Sequence, residues 1–253
     1  ISQVSELYDG NDERVFQLAE KFWPGPLTMV LPRKKAVPDI VTSGLDTVAV
    51  RMPANKIALE LIRLSKTPIA APSANKFGKI SPTEARHVKK QFPDLFTIDG
   101  GKTRVGIEST VITLHEDGFE ILRPGVITAD DLETVVPRSP SPGEKTQLNA
   151  PGLLKSHYSP AKPMYIADDP FIHSKDHPKG GFISFGTPGK DCRYARIEVL
   201  SESKDLKEAA VNLFSAMHRL DESDVEYIVA EPVPEEGVGI AVMNRLKKAS
   251  YRG

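Results

Sequence analysis

Apolar residues recur along the chain at two periods, and proline marks where one gives way to the other. Across 12–23 they fall at Val15, Phe16, Ala19, Phe22 and Trp23, the spacing of one helical face, and Pro24-Gly25-Pro26 stops the run. Residues 27–31 and 48–52 read as strands. Residues 55–66 place Ile57, Leu61 and Leu64 on one side of a helix, and 68–71 reads as a short buried strand. A helix over 82–92 follows, then two strands at 110–114 and 119–122 forming a hairpin that turns at Glu116-Asp117-Gly118.

Residues 137–163 carry few apolar side chains and frequent Pro and Ser, which predicts an extended, irregular connection. Beyond it, 164–167, 182–185, 196–200 and 227–230 have strand character. The clearest helix is 205–220, with Leu206, Ala210, Leu213, Phe214, Met217 and Leu220 in one stripe, and 240–248 closes the chain as another. Strands and helices therefore alternate on both sides of the connection. The predicted class is α/β throughout, with a small doubly wound pattern in the second part. The expected division is 1–137, a linker at 138–163 and a C-terminal α/β domain at 164–253.

Composition narrows the function. The chain has 253 residues, enough for two domains, with 40% hydrophobic and 26% charged positions. Lys plus Arg number 33 against 34 for Asp plus Glu, a net charge of −1, so the basic excess of a nucleic-acid-binding protein is missing and any anion site must be local. A single cysteine, Cys192, excludes an internal disulfide and a cysteine-built zinc site. With no apolar run of membrane-spanning length, the expectation is a cytoplasmic protein without a membrane partner.

The candidate chemistry begins at 67–85, TPIAAPSANKFGKISPTEA. A strand that ends in Pro-Ser-Ala-Asn sets the Ser73 hydroxyl and the Asn75 carboxamide beyond a sheet's carboxyl edge, where α/β folds bind ligands. The same residues also suit a plain turn. Ser81-Pro82-Thr83-Glu84 has the form of a capping box with proline at the first helical position, and a helix N-terminus also offers N–H groups to an anion. Thr47, Ala49 and Arg51 share one face of a strand, where Arg51 needs an anionic partner, either an internal carboxylate or a ligand. Ser109 and Thr110 open the hairpin, and Arg123 at its other end falls near Ser109. Two arginines, several hydroxyls and a carboxamide, with no obvious nucleophile or base, suit a polyanion bound beside a small polar molecule rather than a hydrolase triad. His173, Asp176 and His177 sit in a polar stretch that reads as a solvated loop, and His157-Tyr158 either pins the linker or closes over a site.

Taken together, KFWPGPLT (21–28), VAVRMP (48–53), PIAAPSAN (68–75), SPT (81–83), GIESTV (106–111), ILRPG (121–125) and SHYSP (156–160) resemble the two-domain, YrdC-like threonylcarbamoyl-AMP synthases, in family order and over essentially the whole chain. The resemblance implies a YrdC-like twisted open mixed sheet with helices, plus a smaller Rossmann-like C-terminal domain. It implies synthesis of L-threonylcarbamoyl-AMP and pyrophosphate from L-threonine, bicarbonate and ATP, for the t6A modification at adenosine 37 of tRNA. It places Thr47, Ser73, Asn75, Ser81, Arg123 and Tyr158 on ATP, and Arg51, Ala71 and Ser109 on threonine. Mg²⁺ would travel with ATP, and the product would pass to the tRNA threonylcarbamoyltransferase machinery. The family's glycine-rich N-terminal strand-turn and its Lys/Arg-rich phosphate segment do not stand in this sequence, which implies a chain read from after that segment.

Two alternatives remain. One is an RNA-binding YrdC-like module, against which the balanced charge argues, as it does against direct tRNA binding. The other is a catalytically impaired threonine or nucleotide sensor. A carbamoyltransferase of the hydrogenase-maturation type would need cysteine-rich zinc modules, which one cysteine excludes.

Overall fold

A computed structural model describes residues 2–140, 157–167 and 178–251. The chain divides into two compact units, Ile1–Pro72 with Glu108–Leu148, and Ser73–Ile107 with Asn149–Gly253.

The first unit contains α1 (Val4–Leu7), α2 (Glu13–Phe22), β1 (Leu27–Pro32), α3 (Asp39–Thr42), β2 (Thr47–Val50), α4 (Lys56–Ser65), β3 (Thr110–His115) and β4 (Gly118–Arg123), followed by a short helix at Ala129–Glu133. Its sheet runs β2-β1-β3-β4 and is mixed: β1 pairs antiparallel with β2 and parallel with β3, and β3 with β4 forms the expected hairpin. Leu18 of α2 packs with Leu27, Met29, Ile112 and Phe119 in the core, all at 0% exposure. The periodicity that predicted α2 survives because Asp12 caps it, its carboxylate accepting from the Arg14 N–H at 3.0 Å. Thr128 and Asp131 form a reciprocal capping box on the short helix, a signal the sequence reading passed over.

Two expectations fail in this unit. Residues 68–71 belong to neither sheet, and Ile69, Ala70 and Ala71 are exposed rather than buried. A strand needs a hydrogen-bonded neighbour, and no described strand pairs with this segment. The helix expected over 55–66 does form as α4, with Asn55 accepting from the N–H groups of Ile57 and Ala58. Its apolar stripe is nevertheless open, with Ile57, Leu61 and Leu64 exposed.

In the second unit, α5 (Ala85–Gln91) is the one described helix of the segment 73–107. After the linker come β5 (Met164–Ile166), β6 (Gly180–Ser184), β7 (Arg196–Val199), a helix at Leu206–Asp221, β8 (Tyr227–Ala230) and a helix at Gly239–Ser250. With the helix at Ala129–Glu133 as α6, these last two helices are α7 and α8. The sheet is wholly parallel, in the order β5-β8-β6-β7, which is the doubly wound pattern predicted for this part. The α7 stripe is buried as predicted at Ala210, Leu213, Phe214, Met217 and Leu220, but Ser215 and His218 are buried with it.

The capping box expected at 81–84 is not formed. α5 starts at Ala85, and its cap residue Glu84 is extended with no capping side-chain bond. The Glu84 carboxylate, which a capping box would turn back to the Ser81 N–H, instead pairs with Arg86 at 2.8 Å.

Gly106 shows how closely the segment 73–107 lies on α7. Its φ is +78°, and a Cβ there would fall 2.2 Å from the Val211 carbonyl oxygen and 2.4 Å from the Val211 Cα. Gly101 has a similar φ of +77° and open space around it. Gly106→Ala is therefore expected to cost about 3 kcal/mol or more, whereas Gly101→Ala costs about 1 kcal/mol from backbone conformation alone. Thermal denaturation of the two variants checks this; equal losses would show that the approach to α7 carries no energy.

Candidate functional site

In the first unit, the Arg123 guanidinium donates through Nε and Nη2 to the Ser109 carbonyl at 3.1 and 3.0 Å, and through Nη2 to the Ser109 hydroxyl at 3.1 Å. The hairpin delivers this contact. Val111 lies opposite Arg123 but Ile112 lies opposite Ile121, so one extra residue enters β4 and re-aims its last side chain. The Ser109 hydroxyl also meets the Thr28 hydroxyl at 2.7 Å. Thr28 follows Pro26-Leu27 on β1 and took no role in the sequence reading; its presence inside KFWPGPLT was the available signal.

The end of the sheet that holds Ser109 also holds Arg51. The Gly25 N–H donates to the Met52 carbonyl at 2.9 Å and the Thr110 N–H to the Pro26 carbonyl at 3.0 Å, so the loop 24–26 bridges 51–52 and 109–110. Arg51 follows the last residue of β2 and is exposed rather than lying on the strand face. Thr47 opens β2 opposite Pro32, at the other end of the strand, roughly 13 Å from Arg51 at the usual rise per residue. Ala71 lies exposed in the irregular segment before Pro72. The unit thus brings Ser109, Arg123 and the Arg51 backbone to one end, and does not bring Thr47 there.

In the second unit, Ser73 is exposed and Asn75 organises a turn. The Asn75 amide donates to the Lys76 and Lys79 carbonyls at 3.0 and 3.2 Å, while its Oδ1 has no partner among the described residues. Ser81 and Thr83 are buried. Beneath them two imidazoles stack, His87 of α5 on His218 of α7, with centroids 3.7 Å apart and planes 13° from parallel. The His218 Nε2–H donates to the Ser81 carbonyl at 3.1 Å, and the Thr83 N–H donates to His87 Nδ1 at 3.2 Å. The Thr83 hydroxyl meets the Ser215 hydroxyl at 3.0 Å. Tyr158 is 1% exposed, with a left-handed φ of 64°. Its ring lies 5.3 Å from Phe214, and the Arg245 guanidinium stands 5.6 Å from its centroid. Of the two roles open to His157-Tyr158, the ring contacts are those of a pinned linker.

His87, His218 and Glu222 each bring a possible ligand atom within 4.8 Å of the others. Their hydrogen bonds describe something else. His87 Nδ1 accepts, so its Nε2 carries the proton; His218 Nε2 faces a carbonyl and carries one too. The Glu222 carboxylate is held by Arg86 and Lys90, each at 3.1 Å. His173, Asp176 and His177 lie outside the described residues.

Burial pushes the His87 imidazole down to about 4, helped by the neighbouring His218 and Arg86 and opposed by Glu84 and Glu222. Burial also lowers His218, against the Ser81 carbonyl, Glu222 and Asp221, which favour its charged form. Both rings are held neutral near pH 7.

Comparison with known proteins extends the picture to the whole chain. A family model described as "Telomere recombination" matches residues 1–125, and one described as "Threonylcarbamoyl-AMP synthase, C-terminal domain" matches residues 127–250. A threonylcarbamoyl-AMP synthase of Pyrococcus abyssi is 44% identical over 99% of this chain and 78% of its own length. One of Bacillus subtilis is 40% identical over 99% of this chain and 77% of its own. The crystal structure of P. abyssi Sua5 complexed with L-threonine superposes with a TM-score of 0.85 at 41% identity, covering 99% of this chain and 77% of that one.

The neutral histidine pair makes a pH prediction. An unfolded chain protonates His87 near its ordinary value of 6.5, and the folded chain only near 4. Stability from the neutral pair is therefore full above pH 6.5 and falls as pH drops towards 4. Denaturant midpoints measured from pH 7 to 4 should fall more steeply for the natural chain than for His87→Phe; parallel curves would contradict the burial of a neutral His87.

Proposed function

The chain belongs to the threonylcarbamoyl-AMP synthase family, and we propose that its own site forms L-threonylcarbamoyl-AMP and pyrophosphate from L-threonine, bicarbonate and ATP. The observation that carries the reading is the Arg123–Ser109 contact beside Arg51, on a chain similar along 99% of its length to a protein crystallised with L-threonine. The fold is the expected one, a mixed sheet with a parallel-sheet C-terminal part, and the family's enzymes are nucleotidyltransferases.

In this reading Arg51 takes the threonine carboxylate in its planar fork. Ser109, held by Arg123 and Thr28, presents its hydroxyl to the amino acid, and Ala71 joins the threonine side on family likeness alone. Family likeness assigns Ser73, Asn75, Ser81 and Arg123 to ATP, and it alone adds Thr47 and Tyr158, whose ring is buried against Phe214 and Arg245. The threonine nitrogen attacks the carbon of carbon dioxide and loses a proton; from bicarbonate the same carbamate forms as a C–O bond breaks and water leaves. A carbamate oxygen then attacks the α-phosphorus, and pyrophosphate leaves with the electron pair of the broken P–O bond. Such a displacement asks for alignment and charge neutralisation rather than a covalent nucleophile, which fits a residue set of hydroxyls, one carboxamide and guanidinium groups. None of these residues is a carboxylate, so Mg²⁺ fits as an ion carried on the ATP phosphates, where it would neutralise charge, and not as one caged by the protein.

No helix among the described residues is long and apolar enough to cross a membrane. A cytoplasmic enzyme whose product passes to a tRNA threonylcarbamoyltransferase is part of the same proposal.

Pyrophosphate release from ATP should require threonine and bicarbonate together, and turnover indifferent to threonine would refute the reading. Ser109→Ala should raise the KM for threonine about tenfold, from loss of one hydrogen bond to a bound ligand, with the KM for ATP within about twofold. Equal rises for both substrates would remove Ser109 from the threonine side.

A further inference from the structure

α7 is the central helix of the C-terminal part, and three of its features are directed at the segment 73–107 rather than at its own sheet. His218 donates to the Ser81 carbonyl, Ser215 meets the Thr83 hydroxyl, and the Val211 backbone receives Gly106. His218 and Ser215 are 7% and 1% exposed, so neither group is engaged with solvent. A helix packed only for its hydrophobic stripe would carry apolar residues at these positions, because a buried hydroxyl or imidazole costs free energy unless it is hydrogen-bonded. Here both find their partners on the SPT stretch 81–83. The second imidazole completes the arrangement: His87 accepts from the Thr83 N–H, and its ring is stacked on His218. Ser81 and Thr83 thus have one backbone group each satisfied by a histidine side chain, in a stretch without sheet or helix to do so.

We propose that His218 is a positioning residue for ATP: through its bond to the Ser81 carbonyl, and through the stacked His87, it fixes the backbone of 81–83 so that the Ser81 side is presented to the nucleotide. The proposal rests on the assignment of Ser81 to ATP. It gives the C-terminal part a role in nucleotide binding that is independent of any contact between its sheet and a substrate. The groups facing the pair are Glu84, Arg86, Asp221 and Glu222, of which Glu222 is held by Arg86 and Lys90; the pair itself stays neutral at the pH of assay.

The test compares His218→Phe, which keeps a ring against His87 but removes the donor, with His218→Gln, which restores an N–H towards Ser81, and with Ser81→Ala. Each is made in the full-length protein and assayed for pyrophosphate release with ATP, threonine and bicarbonate. His218→Phe should raise the KM for ATP about fivefold with the KM for threonine unchanged, and His218→Gln should recover most of that loss. A purely structural role predicts something different: a lower melting temperature with both KM values moved alike, or none moved, and either result overturns the proposal. If Ser81→Ala weakens ATP use and His218→Phe does not, this inference alone fails. If Ser81→Ala leaves ATP use intact, or the natural chain releases no pyrophosphate, the assignment of the site fails and the inference with it.

Discussion

The constraint on which the second unit depends is backbone satisfaction in the segment 73–107. Only the seven residues of α5 are helical there, and the remainder must place its N–H and C=O groups elsewhere. α7 supplies part of the answer with His218, which donates to the Ser81 carbonyl, and adds a hydroxyl contact from Ser215 to Thr83 and a close approach to Gly106 that leaves no room for a side chain. The helix-start chemistry expected at 81–84 does not form; α5 begins at Ala85, and the Glu84 carboxylate pairs with Arg86. A cap would satisfy two or three N–H groups locally, whereas the histidine stack satisfies one donor and one acceptor and excludes water as well.

The first unit solves a different problem with similar economy. Ser109 lies 4% exposed at the start of β3, and its carbonyl and hydroxyl both receive Arg123. A bulge of one residue in β4 is what turns Arg123 to that position. The hydroxyl of Thr28 completes a three-residue group spanning β1, β3 and β4. Preorganisation of this kind matters for a reaction whose barrier is lowered by alignment.

Much of this was legible in the sequence. The spacing at Val15, Phe16, Ala19, Phe22 and Trp23 found α2, the turn at Glu116-Asp117-Gly118 found the hairpin, and the stripe from Ala210 to Leu220 found α7, because each pattern is fixed by local periodicity and burial together. The Arg123–Ser109 contact followed from the hairpin. What the pattern could not carry was pairing partners. Residues 68–71 have strand-like side chains but no described neighbour to bond with, and the α4 stripe has helix spacing but no described cover. His218 was invisible for the opposite reason: a single polar residue on an apolar helix face has no periodicity, and its meaning lies in a partner 137 positions away.

The residues assigned to ATP and to threonine form two sets, and the account stands on their both being ligand surfaces. Amide hydrogen exchange, followed with and without a non-hydrolysable ATP analogue and L-threonine, tests this most directly. The account predicts that the analogue slows exchange across 73–83 and that threonine slows it at 109–110. Protection confined to other segments, or an unchanged 73–83 at saturating nucleotide, would contradict it.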